Sequence, residues 1–374
     1  MPILNGLNVG KKIMSPIVGE LVALIAAHGW QPRFGAAIKQ AKAYGVQSLS
    51  HITTLDNYLR FIDEMVRWAP RESGDSTLVH DKLVEFYFIL DQPPLRELQS
   101  AVEPSSVANG LTPLSKWIAD YAGAWGDYLD TAESAVHVES FQGNPAFRWH
   151  DYMPPPSGYR TFNQFFARHV KPGYRPVANS DDPSVIVSPA DAVFLGGWRV
   201  TPESEITVKG MRWAIADLLK GSPFADRFAN GLFTHCALRT FDYHRWHAPL
   251  AGRVVDARLI RGQAYLDVKV EGAGSSTRLE AVEGTGYQFV QMRGLVVLQT
   301  SHGLVACLPV GMAQVSSVVI TAEIGRRLQK GEEMGYFQFG GSDFVMVFED
   351  RCKAQLECQK GAHYFQGSAI GGVG

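Results

Sequence analysis

A change in apolar spacing part-way along the chain limits its possible folds more than any other feature. From about Val18 to Leu129 apolar residues recur every third or fourth position, as in LDNYLRFIDEMVRW and DKLVEFYFILDQ. That is the period of helices with one buried face. LTPLSKWIADYAGAWGDYLD adds another, with Thr112 as N-cap and Pro113 at the first helical position. FQGNPAFRWHDYMPPPSGYRTF then breaks the period with three consecutive prolines and reads as a linker. Beyond it come short β-type runs such as ADAVFLGGWRV, RGLVVLQTS, GLVACLPV and DFVMVFED, punctuated by Gly, Pro and Ser. MRWAIADLLKGSPFADRFANG is expected to be the one helical piece among them. The pattern predicts an α+β protein, with a helical N-terminal region over 1–150 and a β-rich, mainly antiparallel domain over 151–374. A length of 374 residues suits two such regions better than a single core.

Charge and cysteine content narrow the function. A formal charge of -2 provides no field that would favour nucleic acid, so small molecules are the expected partners. The four cysteines form no CxxC pair and stand beside no histidines at zinc-finger spacing, and no metal site is expected. LVALIAA near the N-terminus is too short for a membrane span of roughly 20 residues and fits an ordinary amphipathic helix. No stable membrane anchor is therefore expected, and a cytoplasmic location follows.

KGEEMGYFQFGGSDFVMVFED carries the most chemistry. Strand-like YFQF runs into Gly340, Gly341 and Ser342, and strand-like FVMVF follows. On its own this reads as a tight corner of hairpin type. A Gly-Ser bond in a strained turn has a second use. The serine hydroxyl can attack the preceding carbonyl once a neighbouring base takes its proton, and glycine leaves that carbonyl unhindered. Elimination from the resulting ester and hydrolysis would cut the chain and leave a pyruvoyl group. FDYHRWHAPLAGRV offers His244 and His247 as bases, and SPADAVF offers the acid Asp191. Taken alone, the HxxH pair and the acid are unremarkable, and core or turn residues are their ordinary reading.

Their order along the chain resembles the phosphatidylserine decarboxylase family. FNQFFARHVKPGYRP (162–176) is similar to that family's F-x-x-F-F-x-R-x-x-K-x-G-x-R-P signature, and SPADAVF to its Pro-Ala-Asp segment. VKGMRWAIADLLKG, YHRWHAPLAGRV, LPVGMAQVSSVVI and KGEEMGYFQFGGS resemble its following motifs in order. The resemblance implies that Ser342 is the self-cleavage serine and pyruvoyl precursor, with the cut between Gly341 and Ser342. It implies that His247 is the base and Asp191 the carboxylate that orients it. His244 is expected to position the substrate carboxylate or to handle protons. The cut would leave a large chain ending at Gly341 and a small chain of residues 342–374 that stay associated. In place of PLP, the pyruvoyl carbonyl would draw off the electrons released with carbon dioxide.

GGSD departs from the LGST-type turn of the phospholipid enzymes, and the helical region resembles the extra domain of tryptophan-decarboxylase-like members. A free amino acid, L-tryptophan first, is therefore the expected substrate, with Trp198, Trp213, Phe241 and Trp246 as candidate pocket lining. Phosphatidylserine is the alternative, and an uncleaved serine hydrolase or a noncatalytic relative a further one. Two departures bear on the chemistry. Ala192 stands where the family often has glycine, and Asp343 puts a charge beside the developing oxyanion, slowing cleavage unless it is paired or turned away. A homo-oligomer is left open.

Overall fold

The computed structural model describes residues 14–74, 77–272, 277–282, 286–312, 317–339 and 341–374, with the backbone alone for Met312, Gly341 and Ser342. The N-terminal region is helical as its period predicts, with helices Pro16–His28, Gln31–Ala43, Leu55–Met65, Leu78–Leu90 and Pro113–Leu129. The last begins as its sequence dictates: the Thr112 hydroxyl accepts from the Ser115 amide and Pro113 occupies the first turn, where no N–H is needed. The stretch read as a linker is tightly packed. Phe141, Phe147, Tyr152 and Phe162 are all buried, and the first two rings meet edge to face at 4.8 Å.

The β-rich part is built on an antiparallel sheet of eight strands. Their order is Arg327–Leu328, Gly252–Ile260, Arg293–Gln299, Leu304–Met312, Gly341–Phe348, Leu232–Leu238, Ala192–Arg199 and His363–Tyr364. Both faces are covered, which explains why its strands read as nearly continuous apolar runs. Phe344, Met346 and Phe348 join one core, which continues into the N-terminal helices. Val345 and Val347 join a second core with Phe233, Leu295 and Phe289.

Two expectations are corrected. MRWAIADLLKGSPFADRFANG is not one helix, because Met211–Ala214 is a strand paired with Glu205–Val208, and helix is confined to Ile215–Leu218 before a short turn at Ala225–Arg227. The two-residue loop between the strands, Lys209 and Gly210, has φ of 50° and 76°, the left-handed pair that a tight hairpin demands. The strands around Gly-Gly-Ser are not hairpin partners. Glu333–Phe337 lies between Val318–Ile320 and Arg245–His247 in a three-stranded sheet, whereas Gly341–Phe348 is central in the large one. The chain thus passes from one sheet to the other, and Gly341 and Ser342 already belong to the second strand. Gly340 falls outside the described residues.

Candidate active site

Ser342 is fixed through its backbone, paired with Leu238 on one side and Gly311 on the other. The Gly311 amide donates to the Met292 carbonyl at 3.0 Å, and Met292 lines a cavity of about 680 Å³. Ala119, Gly123 and Gly126 of the helix Pro113–Leu129 line the same cavity.

His244 lies just beyond the strand that pairs with Ser342. Its Nε2 donates to the carbonyl of Arg239, the residue after Leu238, at 3.0 Å, and its ring stacks on Phe166 with centroids 3.9 Å apart. Burial, reinforced by the charge of Arg168, pushes its pKa down to about 3, so the imidazole is neutral. His247 is partly exposed at the end of the strand Arg245–His247. Its Nδ1 bonds to the Gly331 carbonyl at 2.9 Å, and since a carbonyl can only accept, Nδ1 carries the proton. In the neutral ring Nε2 then holds the lone pair, which accepts from the Tyr243 hydroxyl at 3.1 Å. Enclosure lowers the His247 pKa against the pull of the Gly331 carbonyl, which keeps Nε2 unprotonated.

Asp191 and His247 are brought together through the main chain only. The His247 amide donates to the Pro189 carbonyl at 2.8 Å, but no hydrogen bond joins the Asp191 carboxylate to the imidazole among the described residues. The carboxylate instead takes the fork of Arg175, with Nε at 2.9 Å from Oδ1 and Nη2 at 2.6 Å from Oδ2, and it also accepts from the Gln366 amide at 2.8 Å. A planar guanidinium makes two charge-assisted bonds where an imidazole makes one, which explains the preference. Arg175 Nη1 reaches Asp151 at 3.1 Å, and the Phe365 ring stacks on the guanidinium at 4.6 Å. Asp191 thus anchors the Pro-Ala-Asp segment beside His247.

Asp343, the charge beside the serine, is paired. The fully buried carboxylate takes His235 Nε2 at 2.6 Å and Gln288 Nε2 at 3.0 Å on Oδ2, together with the Tyr287 hydroxyl. Its partners His235, Gln288 and Tyr287 escaped the reading of motifs, yet a signal was present. A carboxylate that leads directly into the apolar run FVMVF must find buried partners, and FTHCAL supplies a histidine in a strand of similar character.

Two of the aromatic candidates for a pocket belong to the cores. Trp213 stacks on Phe289 at 4.9 Å and Trp246 packs on Phe344 at 6.0 Å, and both are fully buried. A second cavity, of about 470 Å³, opens beside the approach to the serine and is lined by Arg160, Arg168, His169, Arg245 and Tyr336. Arg245 is balanced by Glu333 at 2.9 Å. Arg168 is only 2% exposed, lies 4.1 Å from the Tyr152 ring, and has no carboxylate within ion-pair distance among the described residues. Its Nη2 donates to the Phe241 carbonyl at 2.9 Å.

These motifs, in this order and around this serine, match the model of phosphatidylserine decarboxylase over residues 162–372, more than half of the chain. The chain belongs to the phosphatidylserine decarboxylase family. The family is one of pyruvoyl-dependent carboxy-lyases, and the enzyme class and cofactor implied by the motifs stand with it. Similar proteins include phosphatidylserine decarboxylase proenzyme 3 of Schizosaccharomyces pombe, 35% identical over 196 residues, which are 52% of this chain and 19% of that protein. A phosphatidylserine decarboxylase proenzyme of Fusobacterium nucleatum is 29% identical over 235 residues, covering 63% of this chain and 74% of the other. Decarboxylase iboD of Amanita muscaria is 29% identical over 258 residues, covering 60% and 74%. The chain thus spans under a fifth of the first of these proteins and about three quarters of the other two.

Proposed function

We propose that the chain cleaves itself before Ser342 and then decarboxylates phosphatidylserine, rather than the free tryptophan expected from the sequence. The observation that carries the anionic head group is Arg168, a buried cation without a carboxylate partner at a cavity with two further arginines. An unpaired buried charge is costly, and a phosphate or carboxylate in that cavity offsets the cost. The names of the Schizosaccharomyces and Fusobacterium relatives support the same substrate.

Self-cleavage is an internal rearrangement followed by hydrolysis. His247 Nε2 takes the Ser342 hydroxyl proton, the oxygen adds to the Gly341 carbonyl carbon, and the peptide C–N bond breaks as the amine takes up a proton. Loss of the Ser342 Cα proton then breaks the Cβ–O bond, freeing the Gly341 carboxylate. One water enters and one ammonia leaves, and residue 342 becomes the pyruvoyl. The site fits that group: residue 342 is held between two strands, and the neighbouring carboxylate is tied down by hydrogen bonds from His235, Gln288 and Tyr287. The pyruvoyl supplies a carbonyl that accepts the electrons released with carbon dioxide. Arg168 and Arg160 bind the anion, Asp191 and Arg175 fix the segment beside His247, and neutral His244 and His247 handle protons.

Intact mass under denaturing conditions, followed by incubation with phosphatidylserine vesicles and with free amino acids, tests this reading. Two chains, a small one with a blocked terminus, and phosphatidylethanolamine with carbon dioxide from the vesicles are expected. A single chain of full mass overturns the cleavage. Carbon dioxide from a free amino acid but not from vesicles overturns the substrate.

A further inference from the structure

The segment that delivers the scissile bond is held from outside the catalytic sheet. Phe339, two residues before Gly341, donates its amide to Asn163 Oδ1 at 3.1 Å. The amide group of Asn163 in turn donates to Asp130 Oδ1 at 3.0 Å and to the Gly126 carbonyl at 3.2 Å, both at the end of the helix Pro113–Leu129. Gln338 Nε2 reaches both oxygens of Asp130 at 3.4 Å, and the Gln338 Oε1 accepts from Ser317 at 2.7 Å. The Phe339 ring meets Trp125 of the same helix edge-on at 5.5 Å, and Phe162 and Phe166 at 5.1 and 5.3 Å. Phe166 is the ring on which His244 stacks.

Trp125, Gly126 and Asp130 precede the part of the chain that matches the family model. At this point the chain leaves the strand Glu333–Phe337 and crosses to the large sheet: the Gln338 amide still donates to the Ser317 carbonyl at 3.2 Å, but the Phe339 amide goes to the Asn163 side chain instead of a strand. The geometry for attack on a peptide carbonyl depends on sub-ångström placement of the reacting atoms, and a displacement of 1 Å costs about 100-fold in rate. Ser317 holds Gln338, and the next step toward the scissile bond, at Phe339, is held through Asn163 and Asp130.

We propose that the end of the helix Pro113–Leu129 acts as a clamp on the approach to the scissile bond, with Asp130 and Asn163 as positioning residues for self-cleavage. The proposal rests on the reading that the chain cleaves before Ser342. Asp130 works through Asn163 and Gln338, neither of which needs its negative charge. An asparagine at 130 supplies the same acceptor oxygen, whereas an alanine supplies none.

Cell-free synthesis of the full chain, sampled over time on a denaturing gel, gives the cleavage rate directly. Asn163→Ala and Asp130→Ala are expected to cleave at least about tenfold more slowly than the wild type. Asp130→Asn is expected to restore the rate to within about threefold, which separates positioning from a need for charge or bulk. Gln338→Ala, partly exposed and tolerant of truncation, is expected to fall between. Cleavage of Asn163→Ala and Asp130→Ala at the wild-type rate overturns the clamp while leaving the cleavage reading intact. Slow cleavage that Asp130→Asn fails to restore also overturns it. A wild type that never cleaves overturns the cleavage reading and the clamp together.

Discussion

Replacing Arg175 with methionine removes the fork that holds Asp191 and leaves that carboxylate with the Gln366 amide as its remaining donor. The two side chains are 2% and 1% exposed, so water cannot take the place of the lost partner. Breaking a buried ion pair from one side costs about 3–5 kcal/mol, and Arg175→Met should lie in that range. Asp191→Leu should cost less, about 2 kcal/mol, because Arg175 keeps Asp151 at 3.1 Å and the Tyr174 carbonyl at 2.8 Å. The double variant leaves no stranded charge at the pair, since Asp151 retains Arg148 at 2.7 Å, and should cost well under the sum of the singles. Guanidinium unfolding followed by circular dichroism measures all four chains, in a Ser342→Ala background so that each is a single covalent species. Additivity to within about 0.5 kcal/mol, or an Arg175→Met variant that loses less than about 1 kcal/mol, would refute the reasoning.

Three further outcomes are expected. His244, with its pKa pushed down to about 3, and His247, also lowered, stay neutral in the folded chain while the unfolded chain takes up their protons below about pH 6.5. Stability is therefore full above that pH and declines as pH falls from about 6.5 toward the folded values, by up to about 1.4 kcal/mol per unit for each histidine. Comparing unfolding at pH 7 and pH 5 should show a smaller difference in His244→Gln, and an unchanged difference would contradict this. Gly335→Ala places a methyl 2.2 Å from the Val319 carbonyl oxygen and 2.3 Å from the Trp246 ring, and should lower stability by more than about 2 kcal/mol. Gly19→Ala, in a helix with nothing within 4 Å, should instead raise it by about 0.5–1 kcal/mol, and thermal midpoints for the pair check both signs.

The helices and most strands are legible because their apolar periods are local. Thr112 and Pro113 announce their helix without help from any distant residue, and FVMVF shows its burial on two faces by its lack of polar alternation. Met211–Ala214 is not legible in the same way, because MRWA joins a helical pattern downstream and becomes a strand only through the positive φ of Lys209 and Gly210. The crossing between sheets at 338–341 is hidden for another reason. Flanking strands look alike whether they pair with each other or with distant partners. In the site, the motifs pick out Ser342, His247, His244 and Asp191, but the partners of Asp191 depend on distance. Arg175 is visible only as the last arginine of a signature, and its fork on Asp191 spans 16 residues. Tyr243 stands in plain sight one position before His244, and its bond to His247 appears only once the turn is folded.

The place of Gly341–Phe348 in the large sheet has a consequence for an enzyme cut ahead of Ser342. Four strands lie on one side of it and three on the other, so the small chain would supply a middle strand of the sheet as well as the edge strand His363–Tyr364. That chain would also bring the Gln366 amide to Asp191 and the Phe365 ring to Arg175. While the fold persists, the missing bond is immaterial. Once the fold is lost, the two pieces diffuse apart, and recovery becomes a second-order encounter whose yield falls with dilution. The uncut precursor returns by a first-order process at any concentration. Maturation would thus turn a protein able to refold alone into one that is assembled once.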